Sequence, residues 1–310
     1  MNVRYILKNL SRLCKNFGLR AMIEIELIPP LIRRDVHGRM EVTHVKRLSY
    51  MKRLLRHVIE EHRNEEIPCI AIDDNMCIYI CWLQGEEMMP LIVKACYRSV
   101  LRHANGRKVY LITMENYKDF VSIPHFIEDR VTGKKISFTF FSDIIRNALL
   151  YQRGGIWRDA TIYLTQDLHI GKLPFFSIRR NERWDYANIS RQRWTSYFMA
   201  GVKGNPLNHF VLGGLIAYWA KKEIILDYFL MDYIICLGYE NIPAITQMID
   251  NLPYTNGKVF YLSGHLTQDR NSGDVLDVLR HTHIHKLTYK GLDGRYPTNS
   301  TYNGIIKNLF

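Results

Sequence analysis

Asp143 and Arg146 are two charged residues inside an otherwise apolar segment that is predicted to be helical. Residues three positions apart lie on the same face of a helix, so the two side chains can act together. Arg146 could bind a phosphate or a sugar hydroxyl while Asp143 orients it. The same spacing is typical of an ordinary ion pair on a helix surface, and spacing alone favours that interpretation.

Asp159 is a third charged residue whose position suggests chemistry. It lies in a run of β-branched and aromatic residues, 156–165, that is predicted to be a strand. Alternation along a strand puts Trp157, Asp159 and Thr161 on one face. Open α/β sheets bind ligands beyond the carboxyl ends of their strands. Asp159 could therefore bind a ribose or sugar hydroxyl, or a divalent metal that bridges phosphates.

Asp232 lies within an apolar run, residues 224–239, where an ionised carboxylate needs a partner. The side chain could contact a ligand in a binding site. It could equally form a hydrogen bond that is buried beside a helix. The sequence pattern leaves both interpretations open.

Histidines and lysines cluster near the end of the chain. His281, His283 and His285 alternate, so an extended chain would place all three on one side. Three imidazoles could bind a transition metal, but the sequence offers no evident carboxylate or cysteine partner, and exposed histidines are common. Alternatively, His285, Lys286 and Lys290 cover an anionic ligand, or they form a solvated basic strand.

Short strands and helices alternate along residues 67–310, which predicts an α/β fold with a mainly parallel central sheet flanked by helices. Ser142 can cap the helix that contains Asp143, which would then lie in the first turn, and Gly154-Gly155 can end that helix. The predicted strands are residues 77–82, 108–113, 156–165 and 195–202. The other predicted helices are residues 90–103, 206–221 and 224–237, and a loop-rich tail follows.

Residues 1–66 are basic and are predicted to form a helical extension to a main domain of residues 67–310. The first helix has one apolar and one basic face. The pattern favours a helix that packs on the domain with its charges in water, and the alternative is a helix on an anionic membrane surface. A second helical stretch covers residues 42–62. The apolar positions are Val3, Leu7, Leu10, Leu13 and Phe17, and the basic positions are Arg4, Lys8, Arg12 and Lys15.

The chain is strongly basic. Its 310 residues include 42 lysines and arginines against 30 aspartates and glutamates, a net charge of +12. Such a charge attracts phosphorylated small molecules, anionic lipid or nucleic acid. Nucleic acid is not the expected partner, because the sequence lacks zinc-finger spacing, an aromatic RNA-binding signature and a long basic tail.

The sequence favours a cytoplasmic location. Its six cysteines form no C-x-x-C pair, and four of them lie in apolar surroundings, which favours reduced thiols. The first residues lack the apolar core and cleavage site of a signal peptide. The longest apolar stretch is interrupted by Asp227 and Asp232 and is too short to span a membrane. Peripheral contact with the inner face of the cytoplasmic membrane is a further expectation.

The segment FSDIIRNALLYQRGGIWRDATIYLT, residues 141–165, resembles the capsular polysaccharide synthesis family of glycosyltransferases. It is more distantly similar to the mannosyltransferase-like family and the glucosylating clostridial toxins. Residues 81–96, 227–233 and 285–290 and the segment from Trp194 match the capsular family as well, so the resemblance covers roughly residues 67–290. The matching motif residues are Ser142, Asp143, Arg146, Gly154, Gly155, Trp157 and Asp159.

The resemblance implies a glycosyltransferase with a Rossmann-like GT-A fold. It would transfer a sugar from a nucleotide-sugar, with UDP favoured over GDP, and would retain the anomeric configuration. The implied acceptor is a growing capsular or other surface polysaccharide or lipopolysaccharide, as a glycan or lipid-linked glycan. The alternatives are a transferase that glycosylates protein side chains and a basic nucleotide- or anion-binding module without catalysis.

The resemblance also implies roles for individual residues in the nucleotide-sugar site. Trp82 would stack on the uracil ring. Asp143 and Arg146 would contact the ribose and the donor sugar, next to Trp157 and Asp159. A C-terminal basic loop, here His285, Lys286 and Lys290, would close over the diphosphate. Asp232 would lie at the donor sugar or the acceptor, which makes Asp159, Arg146 and Asp232 the candidate catalytic residues.

A metal cofactor is implied less clearly. Asp159 matches the first carboxylate of the GT-A Asp-x-Asp motif, but Thr161 replaces the second, and a hydroxyl is a poorer ligand for Mn²⁺ or Mg²⁺. Either Asp159 holds the metal together with phosphates and waters, or positive side chains replace the metal. The capsular family commonly carries this Asp-Ala-Thr form.

Overall fold

The computed structural model describes residues 3–33, 35–180, 188–255, 257–292 and 294–310, with residues 3–9 described by their backbone alone. The part before the sheet is helical, as predicted. Asp35 begins its longest helix by accepting a hydrogen bond from the backbone N–H of Gly38. The helices are α1 (Val3–Phe17), α2 (Leu19–Met22), a π-helical turn (Ile23–Leu27), α3 (Ile28–Ile32), α4 (Val36–Leu54) and α5 (Arg56–His62).

The central sheet has five strands in the order β2-β1-β3-β6-β5. β1 runs parallel to both β2 and β3, whereas β6 runs antiparallel to its neighbours β3 and β5. The predicted mixed, mainly parallel sheet is therefore confirmed. A separate two-stranded sheet pairs β4 with β7. The strands are β1 (Ile78–Cys81), β2 (Val109–Ile112), β3 (Gly155–Asp159), β4 (Ile162–Leu164), β5 (Phe175–Ser177), β6 (Phe198–Gly201) and β7 (Ile284–Lys286).

Helices cover both faces of the central sheet. Alternate residues of β1 point to opposite faces, so Tyr79 joins an apolar cluster with α8–α10, and Ile78 and Ile80 join a second cluster with α6. These later helices are α6 (Leu91–Arg102), α7 (His125–Thr132), α8 (Phe138–Gln152), α9 (Pro206–Lys221), α10 (Leu230–Asn241), α11 (Pro243–Asp250), α12 (Tyr261–Gly264), α13 (Gly273–His281) and α14 (Thr301–Ile306).

The N-terminal helices share the first of these clusters. Met51 and Leu55 are fully buried in it, and Phe17 packs against Tyr50 with ring centroids 5.7 Å apart. The predicted boundary between residues 66 and 67 therefore runs through one continuous core, and it stays a prediction.

The structure describes part of the predicted amphipathic helix. Leu13 and Phe17 pack on the core while Arg12 and Lys15 are exposed. This agrees with a helix packed on the domain at its C-terminal end. Among the described helices, none is both long enough and apolar enough to cross a membrane. The side chains of Val3, Arg4, Leu7 and Lys8 lie outside the described residues.

The start of α8 corrects a prediction. Ser142 does not cap the helix, which begins at Phe138 after Ser137, so Asp143 lies in the second turn rather than the first. The Ser142 hydroxyl donates to the carbonyl of Thr139 at 2.7 Å, inside the helix. The earlier start is stabilised by burial of Phe141 in the apolar cluster.

The predicted strand of residues 156–165 is in fact two strands. A turn at Ala160-Thr161 separates β3, which belongs to the central sheet, from β4, which pairs with β7. The predicted helix start at residue 224 is also wrong. α10 begins at Leu230, because the carboxylate of Asp227 accepts a hydrogen bond from the N–H of Phe229 and forms a turn there.

Candidate active site

A cavity of about 520 Å³ opens at the carboxyl ends of β1 and β3. Cys81 and Asp159, the last residues of these strands, are partners in the parallel register. Trp82 and Thr161 follow the two strands, so the sheet itself brings distant parts of the chain to one edge. The cavity contains nearly all of the predicted site residues, namely Trp82, Asp143, Arg146, Trp157, Asp159, Thr161, Asp232, Lys286 and Lys290.

Arg146 is the cation that α8 contributes to the cavity. Its Nη2 atom lies 3.3 Å from Asp143 Oδ1 and 3.2 Å from Asp159 Oδ1, and its guanidinium lies 4.9 Å from the centroid of the Trp157 ring. The side chain is only 5% exposed. Asp143 and Arg146 are therefore part of a buried network, and the surface ion pair that their spacing suggested is wrong.

Asp159 is held between two cations. Its Oδ1 atom also accepts a hydrogen bond from Trp157 Nε1 at 3.2 Å, and its Oδ2 atom accepts one from Lys286 Nζ at 2.8 Å. Burial opposes ionisation, but the charges of Lys286 and Arg146 outweigh it and hold the pKa of Asp159 below its usual value. Asp159 is thus a fixed negative charge at the end of β3.

Lys286 lies between Asp159 and Thr161. Its ammonium donates to the Thr161 hydroxyl at 2.6 Å as well as to Asp159, and the antiparallel pairing of β7 with β4 places it there. The side chains at the two positions that resemble the Asp-x-Asp motif are thus both hydrogen-bonded to one ammonium group. This donor set fits a divalent ion poorly, because Mn²⁺ and Mg²⁺ bind several oxygen ligands directly.

Asp143 and Asp232 are carboxylates whose ionisation the cavity disfavours. Burial, with added repulsion from Asp159 and Asp232, raises the pKa of Asp143 to about 7, although Arg146 opposes the shift. Burial likewise raises the pKa of Asp232 to about 6. The Trp194 indole N–H donates to Asp232 Oδ1 at 2.9 Å, so the buried hydrogen bond is present. Asp232 also lines the cavity, and its contact with a ligand stays a prediction.

His285 corrects the prediction for the C-terminal basic segment. It is fully buried, it lies outside the cavity lining, and its Nε2 atom lies 3.5 Å from the Thr165 hydroxyl. The cause is strand alternation, which turns Lys286 towards the cavity and its neighbour away from it. His281, at the exposed end of α13, does not join His283 and His285 in a metal-binding group among the residues that the structure describes.

Aromatic side chains at the mouth of the cavity were not predicted as site residues. Tyr228 is 63% exposed, and Phe229 and Phe260 line the cavity beside it. Tyr289 lies edge-to-face against Trp82, with ring centroids 5.5 Å apart. The sequence gives one indication for Tyr228, Phe229 and Tyr289, which is that they lie in segments that resemble the capsular family.

The chain resembles a known protein family over most of its length. Residues 34–305 match the profile of the capsular polysaccharide synthesis protein family. No curated protein is significantly similar to the chain. The solved structures that are remotely similar to the chain include two glycosyltransferases. The PaToxG glycosyltransferase is 14% identical over 68% of this chain and 83% of its own, with a TM-score of 0.41. The apo WbbM bifunctional glycosyltransferase is 10% identical over 78% of this chain and 50% of its own, with a TM-score of 0.40.

The family match spans most of the chain and includes every residue that lines the cavity. It also includes both sheets and the helices α4 to α13. The chain therefore belongs to the capsular polysaccharide synthesis protein family.

Proposed function

We propose that the protein transfers a sugar from a UDP-sugar to a growing capsular or related surface glycan, with retention of the anomeric configuration. The observation that carries the proposal is the row Arg146–Asp159–Lys286 at the carboxyl edge of the sheet. A carboxylate that is held ionised between two cations can accept hydrogen bonds from sugar hydroxyls while the cations face phosphate oxygens.

The donor would occupy the cavity along the line of these residues. Trp82 offers an aromatic face for the uracil ring, and its indole N–H is buried without a hydrogen-bond partner among the described residues. Asp143 would bind the ribose, and Arg146 and Asp159 the donor sugar. Lys286 and Lys290 would lie at the diphosphate, next to Thr161 and Tyr289.

In the proposed reaction, the acceptor hydroxyl attacks the anomeric carbon on the face from which the diphosphate leaves. The bond from the anomeric carbon to the diphosphate oxygen breaks, the bond to the acceptor oxygen forms, and the departing diphosphate oxygen takes the acceptor proton. The chain would contribute by holding the donor and by stabilising its leaving charge. We propose that Lys286 supplies positive charge where Asp-x-Asp enzymes use a divalent metal.

The acceptor would approach through the aromatic mouth of the cavity. Flat side chains such as Tyr228 and Phe229 can pack against sugar rings while their edges stay in water. Asp232 lies next to these residues and could contact the donor sugar or the acceptor. An acceptor linked to lipid diphosphate at the cytoplasmic face of the membrane is the form that we propose.

The test is ligand-dependent thermal stabilisation and sugar transfer, measured with UDP-sugars and GDP-sugars, with and without Mn²⁺ or chelator. We expect UDP-sugars to raise the melting temperature of the parent protein. Asp159→Asn should lower turnover roughly 100-fold or more, as loss of a preorganised electrostatic group does. Asp129→Asn, which changes an exposed carboxylate on α7, is the matched control and should leave both readouts unchanged.

Lys286→Met tests the source of the positive charge in the same assay. We expect turnover to fall roughly 100-fold without rescue by Mn²⁺, and the parent protein to keep its activity in chelator. Loss of parent activity in chelator would contradict the role of Lys286. Near-normal turnover of Asp159→Asn would contradict the site, and binding of nucleotide without transfer or hydrolysis would favour a module without catalysis.

A further inference from the structure

Two histidines and a glutamate form a cluster remote from the cavity. His62 ends α5, Glu65 follows it in the chain, and His209 lies in α9. One potential ligand atom from each of the three lies within 4.8 Å of the others. The cluster joins the N-terminal helices to the helices that cover the sheet.

The hydrogen bonds of His62 fix the role of each ring nitrogen. Its Nδ1 atom lies 2.9 Å from the carbonyl of Val58, and a carbonyl only accepts, so Nδ1 carries the proton. In the neutral ring Nε2 then bears a lone pair. Nε2 is buried, has no hydrogen-bond partner among the described residues, and lies 3.7 Å from Glu65 Oε1.

A lone pair that faces a carboxylate oxygen in a buried position is unfavourable unless a positive group lies near both. The distance of 3.7 Å is too long for a hydrogen bond between Nε2 and Glu65. It is close to the separation of two ligands around one ion with bonds of about 2.1 Å. A donated Nδ1–H to a backbone carbonyl is also the contact that commonly orients a metal-binding histidine.

Contacts with Glu65, Tyr151 and His62 fix the position of the His209 ring. Its Nδ1 atom lies 2.5 Å from Glu65 Oε1, which is a hydrogen bond that an ion bound between the two groups would replace. Its ring stacks on Tyr151 with centroids 4.1 Å apart. The rings of His62 and His209 lie 4.5 Å apart.

We propose that His62, Glu65 and His209 bind one zinc ion that fastens α5 to α9. Two imidazole nitrogens and one carboxylate oxygen are ligands that zinc accepts, whereas magnesium and calcium prefer oxygen ligands alone. The side chains of His209 and Glu65 are 38% and 22% exposed, so an ion can reach the cluster and water can complete the coordination. The site would be structural and separate from sugar transfer.

The test uses the full chain, stripped with a chelator and titrated with ZnCl2. We expect one zinc per chain by elemental analysis and calorimetry, with a rise in melting temperature that MgCl2 does not reproduce. His209→Gln and Glu65→Gln should each weaken zinc binding at least roughly 100-fold and abolish the rise. Both residues are partly exposed, so these variants should fold.

Two controls separate this site from others in the chain. The double variant His281→Gln/His283→Gln removes histidines outside the cluster and should bind zinc like the parent. Asp159→Asn alters the cavity and should also bind zinc normally, so failure of the sugar-transfer proposal would leave this one standing. Substoichiometric zinc in the parent, or unchanged binding in His209→Gln, would overturn the proposal.

Discussion

At the residue scale, the three carboxylates of the cavity differ in charge because they differ in partners. Asp159 has two cations and stays ionised, whereas Asp143 shares Arg146 with it and Asp232 has the neutral indole N–H of Trp194. The fold therefore opposes the negative charge of Asp143 and Asp232. Carboxylates whose ionisation is disfavoured by burial are typical of functional sites.

Asp143→Asn should stabilise the protein at high pH. The pKa of Asp143 in the fold, about 7, lies above its ordinary value of 3.8, so ionisation destabilises the fold increasingly as pH rises between these values. We expect the variant to melt several degrees above the parent at about pH 8 and to show no such gain at about pH 4.

Thermal melts of both proteins across this pH range check the prediction. Asp129→Asn, on the surface of α7, serves as the control and should show no pH-dependent gain. If Asp143→Asn melts below the parent at high pH, the ionised carboxylate is stabilising and the prediction is wrong.

The sequence predicted which side chains line the site better than it predicted their contacts. The resemblance to the family motifs predicted that Trp82, Arg146 and Asp159 lie in one site, and the cavity contains all three. The same resemblance predicted that His285 and Lys286 both face the ligand, which is wrong for His285. The direction of each side chain depends on the strand register, and the sequence alone does not show that register. The hydrogen bond from Trp194 to Asp232 joins residues 38 positions apart, so no local sequence pattern predicts it.

At the element scale, strands with clear boundaries were predictable and the break after β3 was not. The helix α9 and the strands β1 and β2 follow from apolar patterns bounded by polar, glycine or proline residues. Ala160-Thr161 contains none of the usual turn residues. The sequence pattern therefore predicts one continuous strand across these two positions. What ends β3 there is the tertiary pairing of β4 with β7.

Gly155 should be indispensable for the start of β3. Its φ is +127°, and an added Cβ would lie 2.6 Å from the Tyr79 ring and 2.9 Å from the carbonyl of Cys77. We expect Gly155→Ala to lower the free energy of unfolding by about 3 kcal/mol, through backbone strain and the clash together. The midpoint of urea denaturation measures this change.

Gly171→Ala is the matched control for this variant. Gly171 has no neighbouring atom within 4 Å of an added Cβ and no unusual φ, so its variant should unfold like the parent. Equal midpoints for the two variants would show that β3 tolerates a side chain at position 155.

At the scale of the whole molecule, the net charge of +12 and the exposed side chains of the N-terminal helices lead us to propose that the protein contacts an anionic membrane. Leu31 is 82% exposed and Ile32 is 59% exposed, with exposed Arg12, Lys15 and Arg20 on the preceding helices. Apolar side chains that insert at the lipid interface, flanked by basic ones, are typical of peripheral membrane binding.

We expect the protein to cosediment with phosphatidylcholine vesicles that contain phosphatidylserine and not with phosphatidylcholine alone, and the binding to weaken as salt rises. The double variant Leu31→Glu/Ile32→Glu should reduce binding at least roughly tenfold, since it removes the inserting groups. Leu101→Glu changes an exposed leucine on α6 and should bind like the parent. Equal binding by all three proteins would exclude the N-terminal helices as the contact.

The order in which a ribosome makes the chain has a consequence for the cavity. Asp143, Asp159 and Asp232 are all synthesised before Lys286, which arrives with one of the last strands. Until then Arg146 is the one cation that the described cavity lining offers against three carboxylates, and we expect the proposed donor site to repel a diphosphate. An unfinished chain can fold much of its sheet and still bind no donor. If Lys286 faces the diphosphate as proposed, we expect a nascent molecule to bind a nucleotide-sugar only after β7 has been made and has paired with β4.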